Sequence, residues 1–182
     1  MLADIKMPTK DAPFVPPRTQ RAVIIDAHDN VLVSSDAPMP AMGPSQFVAH
    51  TDAVAINPSD TKMRGPFVTP MGILGTDYAG RVVAVGSEVK DVEVGDRICG
   101  AQHAMKADTP DRGAFSQYNV SAGRVWLKIP PTMKTEEGAS FGAGISTAGL
   151  AIRVLGLPLP DAPLEKPTRV LVYGAAPRQE PL

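Results

Sequence analysis

Leu74-Gly75-Thr76-Asp77-Tyr78-Ala79-Gly80-Arg81-Val82-Val83-Ala84-Val85-Gly86-Ser87 is the stretch that decides the fold class of this 182-residue chain. Residues 81–85 form a short run rich in valine, and Gly86-Ser87 ends it as a turn. Asp77 and Tyr78 read as a barrel turn with a hydrogen-bonded aromatic. The same texture extends on both sides. Residues 22–25, 31–34, 46–56, 97–99, 115–120 and 125–128 are further β-rich runs separated by proline and glycine. His28-Asp29-Asn30 reads as a hairpin turn, and Gly95-Asp96 as a turn that bounds a strand. Many short strands with frequent turn signals predict a barrel or sandwich.

The texture changes after Pro130-Pro131. Thr135 can cap a helix whose first turn holds Glu136 and Glu137, acidic groups that suit a helix N-terminus. A second helix is expected from Ile145 or Ser146, with Thr147, Leu150, Ala151, Val154 and Leu155 at helical spacing and Gly156 and Pro158 as the stop. Four prolines then mark a linker, followed by Arg169-Val170-Leu171-Val172-Tyr173, a short apolar run that reads as the first buried strand of a parallel sheet. The predicted organisation is a flexible N-terminal arm over 1–17, a mainly β domain with C-terminal helices over 18–157, and a linker with an incomplete nucleotide-binding start over 158–182.

Composition excludes several classes. A formal net charge of −1 provides no basic field for nucleic acid. No apolar run reaches the roughly 18 residues that span a bilayer. The first residues hold no apolar core before a small-residue cleavage site, so the expected location is the cytoplasm. One cysteine, Cys99, allows no internal disulfide and reads as a small buried residue at a strand end. His28, His50 and His103 lack ligand spacing, so no metal site is expected.

Three segments in register carry a family resemblance: Ala55-Ile56-Asn57-Pro58-Ser59-Asp60-Thr61-Lys62; Leu74 to Gly86 running on through Val94-Gly95-Asp96-Arg97; and Gly113-Ala114-Phe115-Ser116-Gln117-Tyr118. They resemble the GroES-like domain of zinc-free medium-chain dehydrogenases/reductases. With Gly144-Ile145-Ser146-Thr147-Ala148-Gly149-Leu150-Ala151, the chain is most similar to the trans-acting enoyl reductases of fungal polyketide pathways. Zinc-dependent members of the wider family place a cysteine just before the Pro-Ser-Asp stretch and a histidine in the glycine-rich segment. Here Asn57 or its neighbours and Thr76 stand there. Zinc alcohol chemistry needs a Lewis acid on the substrate oxygen, so simple alcohol oxidation is not expected.

The resemblance implies a GroES-like barrel followed by helices and the first strand of an incomplete Rossmann-type domain. It implies reduction of an α,β-unsaturated polyketide thioester with NADPH, on an acyl chain carried by the acyl carrier protein of a polyketide synthase. Such a reaction needs fixed donors for the enolate oxygen. Lys62 is the charged donor that the resemblance implies; the alternative is a solvated surface lysine. Thr147 is the second catalytic candidate, placed near a helix start whose free amides attract a carbonyl. Pro58, Ser59, Asp60 and Thr61 are the cofactor-contacting turn by resemblance, with Asp60 bonding local amides as the plain alternative. Residues 144–151 are the acyl-pocket wall by resemblance, or small residues for close packing. After Gly174 the sequence reads Ala175-Ala176-Pro177, where the family continues into a phosphate-binding helix. The 182-residue chain alone is therefore expected to lack the phosphate cradle and to bind no NADPH. A catalytically inactive remnant, or a GroES-like binding module, is the alternative reading.

Overall fold

In the computed structural model, which describes residues 14–158, 161, 166 and 169–173, the quoted stretch is a strand from its fourth residue onward. Seven strands are present among the described residues: β1 Thr19–Ile25, β2 Val31–Pro38, β3 Phe47–Ala55, β4 Asp77–Val85, β5 Arg97–Ala101, β6 Tyr118–Val120 and β7 Trp126–Lys128. Each coincides with a β-rich run of the sequence. β1 and β2 form a hairpin. Its turn is fastened by the Asp26 carboxylate, which accepts from His28 N at 2.8 Å and Asn30 N at 2.9 Å. The other five strands form one antiparallel sheet in the order β6-β3-β4-β5-β7.

The two sheets are not closed by strand pairing, so the barrel is an open one. Short segments stitch them together instead. Val23 N donates to Phe115 O at 2.8 Å, Leu74 N donates to Val23 O at 2.9 Å, and Thr51 N donates to Gln117 O at 2.9 Å. Register shifts in the β3–β4 ladder, at Val48/Ala49 and Thr51/Ala53, are the irregularities that let such a sheet coil. A core cluster on the five-stranded sheet holds Phe47, Tyr78, Val82, Ile98 and Ala114, with Trp126 edge-on to Phe47 at 5.4 Å between ring centres.

Asp77 and Tyr78 are not a turn. They pair with Ala101 and Gly100 in the ladder, and both are 0 % exposed. The turn falls earlier, at Gly75 with φ 93°, a conformation that favours glycine. Gly80 serves close approach: a Cβ there would stand 1.9 Å from the His50 carbonyl oxygen across the ladder. Cys99 is buried against Ala79, Ile129 and Ala139, and burial pushes its thiol pKa up.

Three helices follow the strands or interrupt them: α1 Pro58–Lys62, α2 Thr135–Ala139 and α3 Gly142–Val154. Thr135 is not the cap of α2. Lys134 precedes the helix, with its N–H donating to Glu137 Oε2 at 3.0 Å, and the Thr135 hydroxyl accepts from Arg97 Nη2 at 3.1 Å. α3 begins at Gly142, before the expected Ile145. It ends as the sequence predicts, because Gly156 adopts φ 63° and Leu157 N reaches back to Ile152 O at 3.0 Å.

Two compact units are distinguished, one ending at Thr147 and the other beginning at Ala148. Residues 1–13 of the expected arm lie outside the described residues, as do 174–182 and most of the linker. Phe14 is not loose: its ring tilts against Tyr118 at 5.2 Å. The expected strand over 169–173 is a correction. These residues are in no strand, and Leu171 and Tyr173 are 91 % and 98 % exposed. A strand needs a ladder partner for its backbone groups, and the described residues provide none. No described helix is long and apolar enough to cross a membrane.

Candidate functional site

The Asn57–Lys62 segment leaves β3 and folds as α1 rather than as the expected turn. The sequence explains this locally. Proline at the first helical position gives up an N–H that has no helical partner in any case. Asp60, three residues after Asn57, accepts the Asn57 N–H through Oδ2 at 2.7 Å, and the Thr61 hydroxyl donates to Pro58 O at 2.9 Å. Asp60 is thus buried, at 6 % exposed, and turned toward the protein. Pro58, Ser59 and Thr61 are exposed, and so is Lys62 at the helix end. Lys62 has no hydrogen bond or ion pair among the described residues, which leaves its ammonium available to a ligand.

Four polar side chains gather beneath α1. Asn57 Nδ2 donates to Thr76 Oγ1 at 2.9 Å and to Asp77 Oδ2 at 2.8 Å. Thr76 Oγ1 donates to Asp60 Oδ1 at 3.2 Å. The remaining oxygen of Asp77, Oδ1, accepts from Ala143 N at 2.5 Å in the first turn of α3. Burial pushes the Asp77 carboxyl pKa up; hydrogen bonds from Asn57 and Ala143 oppose the rise, and the neighbouring Asp60 adds to it.

At Asn57 and Thr76, where the resemblance implies cysteine and histidine in zinc-dependent members, an amide and a hydroxyl are bonded to each other at 2.9 Å. Neither is a thiolate or an imidazole, and the two carboxylates beside them, Asp60 and Asp77, already accept protein donors. Among the described residues no group of three or more His, Cys, Asp or Glu side chains converges.

The acyl-wall candidates lie on α3. Gly144, Ile145, Ser146 and Thr147 are exposed in the first unit, and Ala148, Gly149, Leu150 and Ala151 are exposed in the second. Ser146 spends its hydroxyl on Gly142 O at 2.7 Å. Thr147 does not stand at the free amides of a helix start, contrary to expectation. The helix starts five residues earlier, so Thr147 is in its second turn, and Asp77 takes the Ala143 N–H. What remains at Thr147 is an exposed hydroxyl.

The structure therefore ties the Lys62 segment and the first turns of α3 to one carboxylate. Sequence reading missed both organisers, Asn57 and Asp77. The signal for Asn57 was present: Asn-Pro-Ser-Asp is a cap with an acidic residue three positions on. For Asp77 the only signal was a carboxylate beside apolar residues that must be paired if buried.

For a nicotinamide dinucleotide, the described donors fit only part of the group. Ser59, Lys62 and Thr147 are of a kind that bonds a carboxamide or an acyl carbonyl. The segment from Gly174, where the resemblance implies a phosphate-binding helix, lies outside the described residues.

Comparison with known proteins agrees with this architecture. The alcohol dehydrogenase GroES-like domain family matches residues 43–131. The chain is 55 % identical over 172 residues to the enoyl reductase component lovC of the lovastatin nonaketide synthase of Aspergillus terreus, covering 91 % of this chain and 47 % of that protein. It is 55 % identical over 169 residues to the dehydrogenase mokE of Monascus pilosus, covering 90 % and 47 %. A trans-enoyl reductase of Pyricularia oryzae is 43 % identical over 164 residues, 88 % of this chain and 46 % of that one. The chain spans about half the length of these curated relatives. Among solved structures, an alcohol dehydrogenase superfamily protein from Novosphingobium aromaticivorans is similar at TM-score 0.61 and 27 % identity, covering 71 % of this chain and 40 % of that one. The quinone oxidoreductase of Coxiella burnetii shares the fold at TM-score 0.58 and 22 % identity, covering 75 % and 44 %.

Proposed function

We propose, from the premise that this chain carries the GroES-like domain of the medium-chain dehydrogenases/reductases, that it is the substrate-facing part of a trans-acting enoyl reductase of polyketide biosynthesis. The substrate class is an α,β-unsaturated thioester on the acyl carrier protein of a polyketide synthase, met in the cytoplasm. The observation that carries the reading is the 55 % identity over 91 % of the chain to a protein named as an enoyl reductase component.

NADPH, when bound, supplies the hydride for the β-carbon of the thioester. The chain's own task is the carbonyl end. Hydride addition at the β-carbon would place negative charge on the thioester oxygen, which Lys62 Nζ would hold by donating a hydrogen bond until the α-carbon takes a proton from solvent. A charged donor aimed at a developing oxyanion acts on the transition state more than on the ground state. The Thr147 hydroxyl is a second donor, and exposed Gly144, in the same unit, takes up little space beside an acyl chain. Ser59 and Thr61, exposed on α1, are the residues of this segment that would contact the cofactor.

A second reading, that of a GroES-like binding module, is supported by the match of that domain family over residues 43–131. The test is thioester-dependent NADPH oxidation with a crotonyl-pantetheine thioester, run on the product of the gene's whole reading frame. Oxidation that depends on both reactants supports the reductase. Its absence, with the thioester still bound, overturns the reductase in favour of the module.

A further inference from the structure

We propose that Asp77 is the positioning residue of this site: its one carboxylate fixes the segment that carries Lys62 and the segment that carries Thr147 to the same point of β4. What the positioning serves rests on the reductase reading; the positioning itself rests on geometry.

Asp77 opens β4 and is 0 % exposed. Its Oδ2 holds Asn57, and Asn57 is the residue that caps α1, with its backbone N–H on Asp60. Lys62 ends that five-residue helix, so the direction of its stem is set by how α1 is anchored. The other oxygen, Oδ1, holds the N–H of Ala143, the second residue of α3. Thr147 stands four residues further on, roughly 6 Å along the axis at 1.5 Å per residue.

A second observation fixes the start of α3 independently. A Cβ at Gly142 would stand 2.4 Å from Gly100 O and 2.7 Å from Asp77 Oδ1. The helix thus begins in direct contact with β5 and with the carboxylate itself. Hydrogen bond and steric contact agree on one placement of α3, and a residue larger than glycine at 142 would push the helix off it.

The residue type matters as much as the place. A carboxylate presents two acceptor oxygens, and here each takes a donor from a different segment. An asparagine at 77 presents one oxygen and one amide, so its amide must face either the Asn57 amide or the Ala143 N–H, donor against donor. An apolar residue would leave both donors unmatched. A buried carboxylate is a poor source of stability once its desolvation is counted. It is a good source of fixed geometry, because each bond fails if the segment it holds moves away from the carboxylate.

The variants D77N, N57D and the reciprocal pair N57D/D77N decide the matter. In D77N, amide hydrogen exchange should speed up about tenfold at Asp60 in α1 and at Ala143 and Ile145 in α3, while Val82 and Ile98 in β4 and β5 keep their rates. The reciprocal pair restores an amide facing a carboxylate and should recover most of the protection. In thioester reduction, D77N should lower kcat about a hundredfold with KM little changed, since orientation and not binding is lost. Loosening of only one segment, or equal loosening of the whole sheet, would show a merely structural carboxylate and overturn the proposal. So would an active protein in which D77N keeps its kcat. A wild-type protein that reduces no thioester would count against the reductase reading alone; exchange would then decide the positioning by itself.

Discussion

Asn57 Nδ2 lies 2.8 Å from Asp77 Oδ2, across 20 residues of sequence. The same asparagine amide also reaches Thr76 at 2.9 Å. An amide has two N–H groups, and here both are used inside the protein. The polar cluster under α1 is thus closed on itself, and Lys62 is the charged group that this segment turns outward.

Lys62→Ala should lower thioester turnover about a hundredfold, the loss typical of removing one oxyanion donor. Its melting temperature should stay within a degree or so of wild type, because exposed Lys62 supports no contact in the fold. Steady-state kinetics beside differential scanning calorimetry checks both halves. An unchanged rate removes Lys62 from the mechanism.

Gly144→Ala separates packing from pocket. A Cβ at Gly144 meets nothing within 4 Å. The substitution should therefore stabilise α3 by about 0.8–1 kcal/mol, the helix-propensity difference. If the residue lines the acyl path, kcat/KM for long acyl thioesters should fall more than for crotonyl. Urea unfolding and a chain-length series measure the two effects.

Gly80→Ala should destabilise by about 3 kcal/mol, because its Cβ would overlap the His50 carbonyl and force β3 from β4. A denaturant midpoint close to wild type would contradict the ladder described for these strands.

Tyr78→Phe should be neutral or stabilising by about 1 kcal/mol. The Tyr78 ring is 0 % exposed, and its hydroxyl has no hydrogen-bond partner among the described residues. Burial accordingly pushes its pKa well up. A loss of stability in calorimetry would reveal a partner for that hydroxyl.

Asp77 and Asp26 should titrate in opposite directions from an ordinary aspartate. Burial holds Asp77 above that range, so its contribution is fully present below the unfolded pKa and is lost as pH rises through the folded value. The backbone N–H of Asn30, aided by its side chain, holds Asp26 below that range. The Asp26 contribution is present above the unfolded pKa and is lost as pH falls through the folded value. Carboxyl carbon NMR across the acid range reads each midpoint directly, and coincident midpoints would contradict both environments.

Legibility followed distance along the chain. The seven β-rich runs, the His28-Asp29-Asn30 turn and the stop at Gly156 were readable because strand pattern and turn chemistry are properties of neighbouring residues. The sequence determined, then, a β-rich chain that resembles GroES-like domains, with Lys62 and Thr147 as candidates. Tertiary structure decided what holds them. Ala143 N and Asp77 Oδ1 are 66 residues apart in sequence, and their meeting moved the start of α3, placed Thr147 in its second turn and turned an expected loop residue into a buried carboxylate. No local pattern encodes such a contact: it exists only once β4, β5 and Gly142 have packed closely enough to shut water out and leave each donor a single acceptor.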